Sequence, residues 1–295
     1  MLGQLEIHEP STVDEAVDML VHYGDAATIY AGGTELLLIM NEGLVHYPHL
    51  VNIKTIPKLN KISLEDNANR LRIGALVTHR QLEKATLVRE RLPLLSETAA
   101  GIGNLRVRIA GTLGGNLCFA DPHSDPATLL LACGALLELS GVNGIRTVSA
   151  DKFFVGLLET AREEHEVLTA ITVPTQNPEI VGSYMRFCVH ERPTATVAVI
   201  MSLKNGLIDT VRIALGSVGP TPVRMTKAEE LLQGEQPNEE LYAEAAAWGS
   251  DATDAVNDIY GSVEYKRHLA QVLTYRGLVR ASRKRGDGGD SVWES

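Results

Sequence analysis

The sequence predicts an α+β protein built from more than one unit, and three observations carry that expectation. Short apolar strands alternate with helical segments through residues 5–174. A glycine string at 31–35 stands between a strand and a helix-like apolar run. Asn205-Gly206, the dipeptide of a type I′ hairpin, lies between two further strand-like runs, and a long amphipathic helix follows at 265–284.

Composition narrows the class. The 295 residues are enough for two or three domains. With 44% hydrophobic and 22% charged residues the chain is globular. A net charge of -10 disfavours nonspecific binding to nucleic acid or to an anionic membrane. No apolar run approaches the length of a membrane span, so no direct membrane insertion is expected. The N-terminus, MLGQLEIHEPS, has no basic segment followed by an apolar stretch, which points to the cytoplasm. Three separated cysteines, Cys118, Cys133 and Cys188, exclude a self-contained four-cysteine cluster and fit a reducing compartment. The nine histidines are scattered without metal-ligand spacing, so no metal is expected.

The elements follow in order. Residues 5–10 read as a short strand. Thr12 and Glu15 read as a capping box opening a helix with Val13, Ala16, Val17, Leu20 and Val21 on one face, ended by Gly24. Residues 27–30 form a strand that delivers Ala31-Gly32-Gly33-Thr34-Glu35 to the run that begins at Leu36. Strand, glycine loop and helix suit a pyrophosphate, because backbone amides and a helix N-terminus then face the anion. The dinucleotide fingerprint Gly-x-Gly-x-x-Gly is absent. Residues 49–53, 60–62, 71–77, 135–140 and 166–174 read as strands, with a turn at 141–146. Thr78 with Gln81 opens a helix to Ala85, and Pro93 opens another at 94–100. A third unit begins near Ile180, with strands at 183–190, 195–204 and 207–215 and helices at 228–232 and 238–248.

The stretch from Ile109 to Leu137 organises the rest. Gly111, Gly114 and Gly115 bracket Thr112 and lead to Asn116, a pattern that suits a backbone nest for an anion. A hinge with Asp121, Pro122, Ser124 and Asp125 follows, and Asp125 before Pro126 reads as an N-cap with proline at the first helical position. Arg106 and Arg108 stand beside the loop, where they either meet a phosphate or are solvated or paired with a carboxylate. Asp121 and His123 read as loop-shaping, and Cys118 and Cys133 as packing.

AGGTELL at 31–37 and GTLGGNLCFADPHSDP at 111–126 occur together in this order, with EPSTVDEAVDML, LRIGALVTHRQLE, SYMRF and SVEYKRHLAQVLTYRGL around them. On these motifs the chain resembles the FAD-binding medium subunit of molybdenum hydroxylases, the carbon monoxide dehydrogenase and xanthine dehydrogenase family. The resemblance implies a two-part FAD-binding unit of the vanillyl-alcohol-oxidase type at 1–56 and 57–176, a C-terminal α+β domain at 177–286 with a small antiparallel sheet and helices, and a disordered tail at 287–295. It implies non-covalent FAD on Ala31, Gly32, Gly33, Thr34, Glu35, Leu36, Thr112, Gly114, Gly115, Asn116, Ser124, Asp125, Leu168 and Arg186. The pyrophosphate would sit on the amides of 31–35 and 112–116, and Asp125 would bind ribityl hydroxyls. Arg186 falls where many relatives carry lysine, near the pyrimidine edge of the flavin.

The resemblance also implies partners: a molybdopterin-binding large subunit and a small subunit with [2Fe-2S] clusters, assembled as a dimer of heterotrimers. The chain would be an oxidoreductase subunit, active only in complex, that passes electrons from the iron–sulfur subunit to NAD, a quinone or carrier, or oxygen. A stand-alone flavin oxidase and a flavin-free assembly subunit are the alternatives. The first lacks a candidate general base, and the intact glycine strings speak against the second.

Overall fold

The computed structural model describes residues 5–175, 180–189 and 191–283. The first unit holds β1 (Glu6–His8), α1 (Val13–Tyr23), β2 (Ala27–Tyr30), α2 (Leu36–Asn41) and β3 (His49–Asn52). Its strands form a parallel sheet in the order β1-β3-β2. Ala16, Val17 and Leu20 of α1 are buried, whereas Val21, expected on the same face, is 46% exposed. The expected capping box is half formed. Thr12 Oγ1 accepts from the Glu15 amide at 3.1 Å, but the Glu15 carboxylate takes the Ser11 amide and hydroxyl, at 2.7 and 2.8 Å. Ser11 offers that carboxylate two adjacent donors where the box would offer one.

The second unit runs through β4 (Ile62–Glu65), β5 (Arg70–Gly74), α3 (His79–Lys84), α4 (Thr86–Arg91), α5 (Pro93–Ala100), α6 (Leu105–Ala110), α7 (Leu113–Phe119), α8 (Asp125–Ala132), β6 (Leu136–Gly141), β7 (Gly144–Ser149), α9 (Ala150–Phe153), β8 (Phe154–Gly156), β9 (Glu159–Thr160) and β10 (Val167–Pro174). Five strands make an antiparallel sheet in the order β4-β5-β10-β6-β7. A polar staple crosses its centre. Arg72 on β5 donates two bonds to Glu138 on β6, at 2.8 and 2.7 Å, and Thr169 on the intervening β10 donates to the same carboxylate at 2.6 Å. These donors hold the Glu138 carboxyl below the usual carboxylate range, the Arg72 bond being the largest cause.

Several elements differ from expectation. The strand expected over 71–77 stops at Gly74, where a Cβ would lie 2.2 Å from the Leu59 carbonyl oxygen. Residues 144–149 pair with β6 instead of forming only a turn. α4 was not anticipated, and neither was α6, whose N-cap Asn104 accepts from the amides of Arg106 and Val107. The Gly-Gly pair of the second string is helical: Thr112 is the N-cap of α7, and its hydroxyl accepts from the Gly115 amide at 3.1 Å. Side-chain capping thus turns an expected loop into a first helical turn. The N-cap of α8 is Ser124, one residue before the expected Asp125, which is itself the first helical residue.

The third unit holds β11 (Ile180–Phe187), β12 (Ala195–Lys204), β13 (Leu207–Gly216), β14 (Val223–Arg224), α10 (Thr226–Leu232), α11 (Glu239–Ala247) and α12 (Val263–Arg283). Its antiparallel sheet runs β11-β12-β13-β14. Asn205 and Gly206 both take positive φ, 53° and 82°, as a type I′ turn requires. The expected boundary at 176/177 and the tail at 287–295 lie outside the described residues.

α8 joins the second and third units. All eight of its residues are buried, and it packs on β12 and β13 as α12 does on β11 and β12. Thr128 Oγ1 lies 3.0 Å from Thr196 Oγ1 on β12, and a Cβ on Gly216 of β13 would stand 1.8 Å from that Thr128 oxygen. Neither threonine can swing away, because both are fully buried. Gly216→Ala is therefore expected to destabilise the chain by about 1–3 kcal/mol through overpacking. A lowered urea midpoint at unchanged slope is the expected reading, and an unchanged midpoint would mean that α8 and β13 are not in register as described.

Candidate functional site

Between the first sheet and the helices of the second unit lies a cleft of about 240 Å³ that opens to solvent. Ala31, Gly32, Gly33, Thr34, Glu35 and Leu36 line it from one side, and Thr112, Gly114, Gly115 and Asn116 from the other, with Leu168 of β10. The two strings touch through their backbones. A Cβ on Gly32 would lie 2.4 Å from the Ala110 carbonyl oxygen and 2.9 Å from Gly111 Cα.

The two strings are not equivalent as donors. Among the described residues, the amides of Gly32, Gly33, Thr34 and Glu35 have no protein acceptor, and Gly33 turns through φ +74° just before α2. Four unpaired amides in succession at a cleft wall are an anion-binding arrangement. In the second string the expectation needs correcting. Leu113 donates to Val77, Gly114 to Ala75 and Asn116 to Thr112, at 2.9, 2.8 and 2.9 Å, while Gly115 is taken by the Thr112 cap. Gly114 serves close packing instead, since a Cβ there would lie 2.5 Å from Ala75 Cβ. What this string offers the cleft is the Thr112 backbone and the Asn116 side chain. Ser124 donates to Asn116 Oδ1 at 2.6 Å and so turns the amide nitrogen of Asn116 the other way.

Ser124, Asp125 and Arg186 are not among the residues that line the cleft. Asp125 is buried, with Oδ1 accepting from the Tyr184 hydroxyl at 2.8 Å and lying 3.6 Å from Arg186 Nε. Burial pushes the Asp125 carboxyl up, against the opposing pull of the Arg186 cation and the Tyr184 hydroxyl. Arg186 also donates to the Gly101 and Glu191 carbonyls at 2.7 and 2.8 Å, which fixes its planar head.

Three groups escaped the sequence reading. Arg192 donates to both Glu35 oxygens, at 3.1 and 3.2 Å, and pairs with Asp121, so it ties the first string to the hinge of the second. Its sequence distance from Glu35 left no signal. Arg162 and Glu166 line the cleft beside Leu168. His79 also lines it, 2% exposed, with Nδ1 buried and unpartnered among the described residues. The signal for His79 was its place in LRIGALVTHRQLE. Arg108 turns away to the Ile102 and Gly103 carbonyls and to Glu83, the carboxylate alternative of the sequence reading. Asp121 accepts from the His123 amide at 2.8 Å and the His123 ring meets the Pro193 carbonyl at 2.6 Å, so both residues shape the loop. Burial raises the Cys118 thiol to about 11 and the Cys133 thiol to about 12, which keeps both protonated and inert.

Burial, with the Arg108 cation second, lowers His79 to about 4. In the unfolded chain it titrates near 6.5. Between those values the unfolded state binds the extra proton, so the stability present above pH 6.5 is lost as pH falls toward 4. The loss attributable to this group is on the order of 3 kcal/mol. His79→Gln is expected to flatten that part of the stability profile, measured as urea midpoints at half-unit pH steps. An unchanged slope would mean that another group carries the acid sensitivity.

Comparison with known proteins places this architecture. A family model described as the FAD binding domain in molybdopterin dehydrogenase matches residues 3–176, and one described as the CO dehydrogenase flavoprotein C-terminal domain matches 185–281. The carbon monoxide dehydrogenase medium chain of Hydrogenophaga pseudoflava is 34% identical over 277 residues, 93% of this chain and 96% of that one. The xanthine dehydrogenase FAD-binding subunit of Escherichia coli O157:H7 is 30% identical over 93% of this chain and 94% of its own. A solved structure of carbon monoxide dehydrogenase from Hydrogenophaga pseudoflava superposes with a TM-score of 0.93 at 35% identity, covering 96% of this chain and 99% of that one. Quinoline 2-oxidoreductase from Pseudomonas putida 86 superposes at 0.89 with 28% identity over 96% and 98% of the two chains. Matched along both the cleft-bearing units and the C-terminal unit, the chain belongs to the family of FAD-binding medium subunits of molybdenum hydroxylases.

Proposed function

We propose that this chain is the FAD-carrying electron-transfer subunit of a cytoplasmic molybdenum hydroxylase complex, fed by an iron–sulfur subunit and delivering to NAD, a quinone or carrier, or oxygen. The observation that carries the proposal is the run of four amides at Gly32–Glu35 that have no acceptor among the described residues, in a string that lines the same cleft as the second glycine string. They supply hydrogen bonds to a pyrophosphate without a protonation change. Thr112 and the Asn116 amide extend that donor set, and the buried Nδ1 of His79 is a further polar atom in want of a partner. Leu168 adds an apolar surface to the cleft lining.

Bound FAD supplies redox chemistry in one- and two-electron steps. The chain's own residues position and polarise. Asp125, held at Oδ1 by Tyr184, would accept ligand hydroxyls at its second carboxylate oxygen. The Arg186 guanidinium is a permanent cation that favours negative charge on a neighbouring ring edge. Arg192, by joining Glu35 to Asp121, holds the two walls at one separation. On this reading substrate chemistry belongs to a molybdopterin subunit, electrons arrive through [2Fe-2S] clusters on a small subunit, and the assembly is a dimer of heterotrimers; the full-length match to carbon monoxide and xanthine dehydrogenase subunits supports the partners, and the resemblance alone supports the doubling.

Acid precipitation of the purified chain is expected to leave FAD in the supernatant, one per chain; flavin retained in the pellet, or FMN, would contradict non-covalent FAD. Gly33→Val is expected to empty the site in a folded chain, because a side chain at φ +74° is strained by roughly 1–3 kcal/mol and would sit 2.6 Å from Tyr30 Cε2. Gly114→Val should instead damage folding, by driving the side chain into Ala75. Full flavin content in Gly33→Val, read from the visible flavin absorbance, would move the site elsewhere.

A tag on this chain in its native host is expected to bring down a molybdopterin subunit and an iron–sulfur subunit. Recovery of the chain alone, with turnover of an organic substrate, would overturn the subunit reading in favour of a stand-alone oxidase.

A further inference from the structure

The histidines that look scattered in the sequence are not all scattered in space. β1 and β3 run parallel with Glu6 opposite His49 and His8 opposite Val51. Glu6 and His8 are two residues apart on one strand, and partners in register share a face, so Glu6, His8 and His49 project from the same side. Their donor atoms converge. His8 Nε2 lies 3.0 Å from His49 Nδ1, His49 Nδ1 lies 3.5 Å from one Glu6 oxygen, and one ligand atom from each residue can be chosen so that all lie within 4.8 Å of one another.

We propose that Glu6, His8 and His49 form a binding site for one divalent cation of the zinc class, with the fourth position open to water. Two imidazoles and a carboxylate are a borderline-soft donor set that suits Zn²⁺ and its neighbours, not Mg²⁺ or Ca²⁺, which take oxygen shells. Tetrahedral bonds of about 2.0–2.1 Å place two ligand nitrogens roughly 3.3 Å apart. The observed 3.0 Å therefore needs only a few tenths of an ångström of opening.

The imidazoles are held in place before any ion arrives. The Tyr23 ring, at the end of α1, stacks on both, with centroids 4.7 Å from His8 and 4.1 Å from His49. Pro48 accepts from the Glu6 amide at 2.8 Å, which anchors β1 beside the start of β3. Both histidine side chains are largely buried, at 12% and 22% exposure, while Glu6 is 66% exposed and leaves an entry path. The plainer alternative is a histidine pair sharing one proton, with Glu6 as a nearby acceptor. The two arrangements differ in what they do with added metal. The cluster lies at the start of β1 and β3, whereas Tyr30, at the end of β2, leads into the cleft, so a cation here would clip strands together and leave the flavin reading untouched.

The test is zinc titration by calorimetry of the tag-free full chain with its flavin in place, stripped with EDTA and dialysed, at pH 7.5. One ion per chain at micromolar affinity or tighter is expected, with no response to Mg²⁺, and with a melting midpoint that rises with free Zn²⁺. His8→Gln and His49→Gln are each expected to weaken binding at least about tenfold, since even outer partners of a ligand are commonly worth about 10–100-fold. His22→Gln, a neighbour outside the donor set, should leave it unchanged. Flavin content reports that each variant is folded, and Glu6→Gln, at an exposed position, serves if a histidine variant is not. Zinc binding only at millimolar levels, or equal in the parent chain and in the His8, His49 and Glu6 variants, would overturn the proposal and leave a proton-sharing pair.

Discussion

Gly32 has no room for a side chain, and much of the site depends on that. The first glycine string lies with its backbone against Ala110 and Gly111, at a separation that a single Cβ would abolish. Close approach of two backbones leaves each string's hydrogen-bonding groups to be satisfied separately. The second string solves this with helix formation, Thr112 capping α7 and Gly114 donating to Ala75. The first lines the cleft, and its amides from Gly32 to Glu35 have no acceptor among the described residues. Unpaired amides at a protein surface are unremarkable, but four in a row against a second wall are a binding surface.

The C-terminal unit completes the site without lining the cleft. β11 carries Tyr184 and Arg186 to the buried start of α8, where both meet Asp125. The loop after β11 carries Arg192 back to Glu35 and Asp121. Each contact joins residues far apart in the chain, so the geometry around α8 depends on the docking of β12 and β13 against it. Thr128, Thr196 and Gly216 set that docking by shape, and Arg212 reinforces it from the other end of α8 by donating to the Leu131 and Ala132 carbonyls at 3.0 and 2.8 Å. A helix buried on all sides needs such specific partners to fix its rotation.

Both glycine strings, the Asn205-Gly206 hairpin, the central strand β10 and the long α12 were legible in the sequence. They were legible because each rests on local chemistry: glycine where φ is positive or backbones meet, continuous apolar runs where both faces are covered. The misses have a physical pattern too. α4, α6 and β7 are short and carry weak periodicity, and tertiary contacts decide them. The bracing of Arg186 by Asp125, Gly101 and Glu191 had no local signal either, since all three partners lie outside its own strand. Arg192 went unread as a site group, since a lone arginine has no distinguishing spacing, and His79 carried only the signal of its place in LRIGALVTHRQLE.

By itself, the sequence determined the class of the protein, the order of its units and the presence of two anion-suited strings, because glycine content, turn dipeptides and apolar runs act over a few residues. Only the tertiary structure decided which string keeps its amides free, because that depends on whether Val77 and Ala75 lie within reach of Leu113 and Gly114. It likewise decided that Glu15 caps backward onto Ser11, that Arg108 faces Glu83 and that His8 meets His49 across parallel strands. Hydrogen-bond donors choose among acceptors by distance in space, and that distance is set by packing between residues the chain keeps far apart.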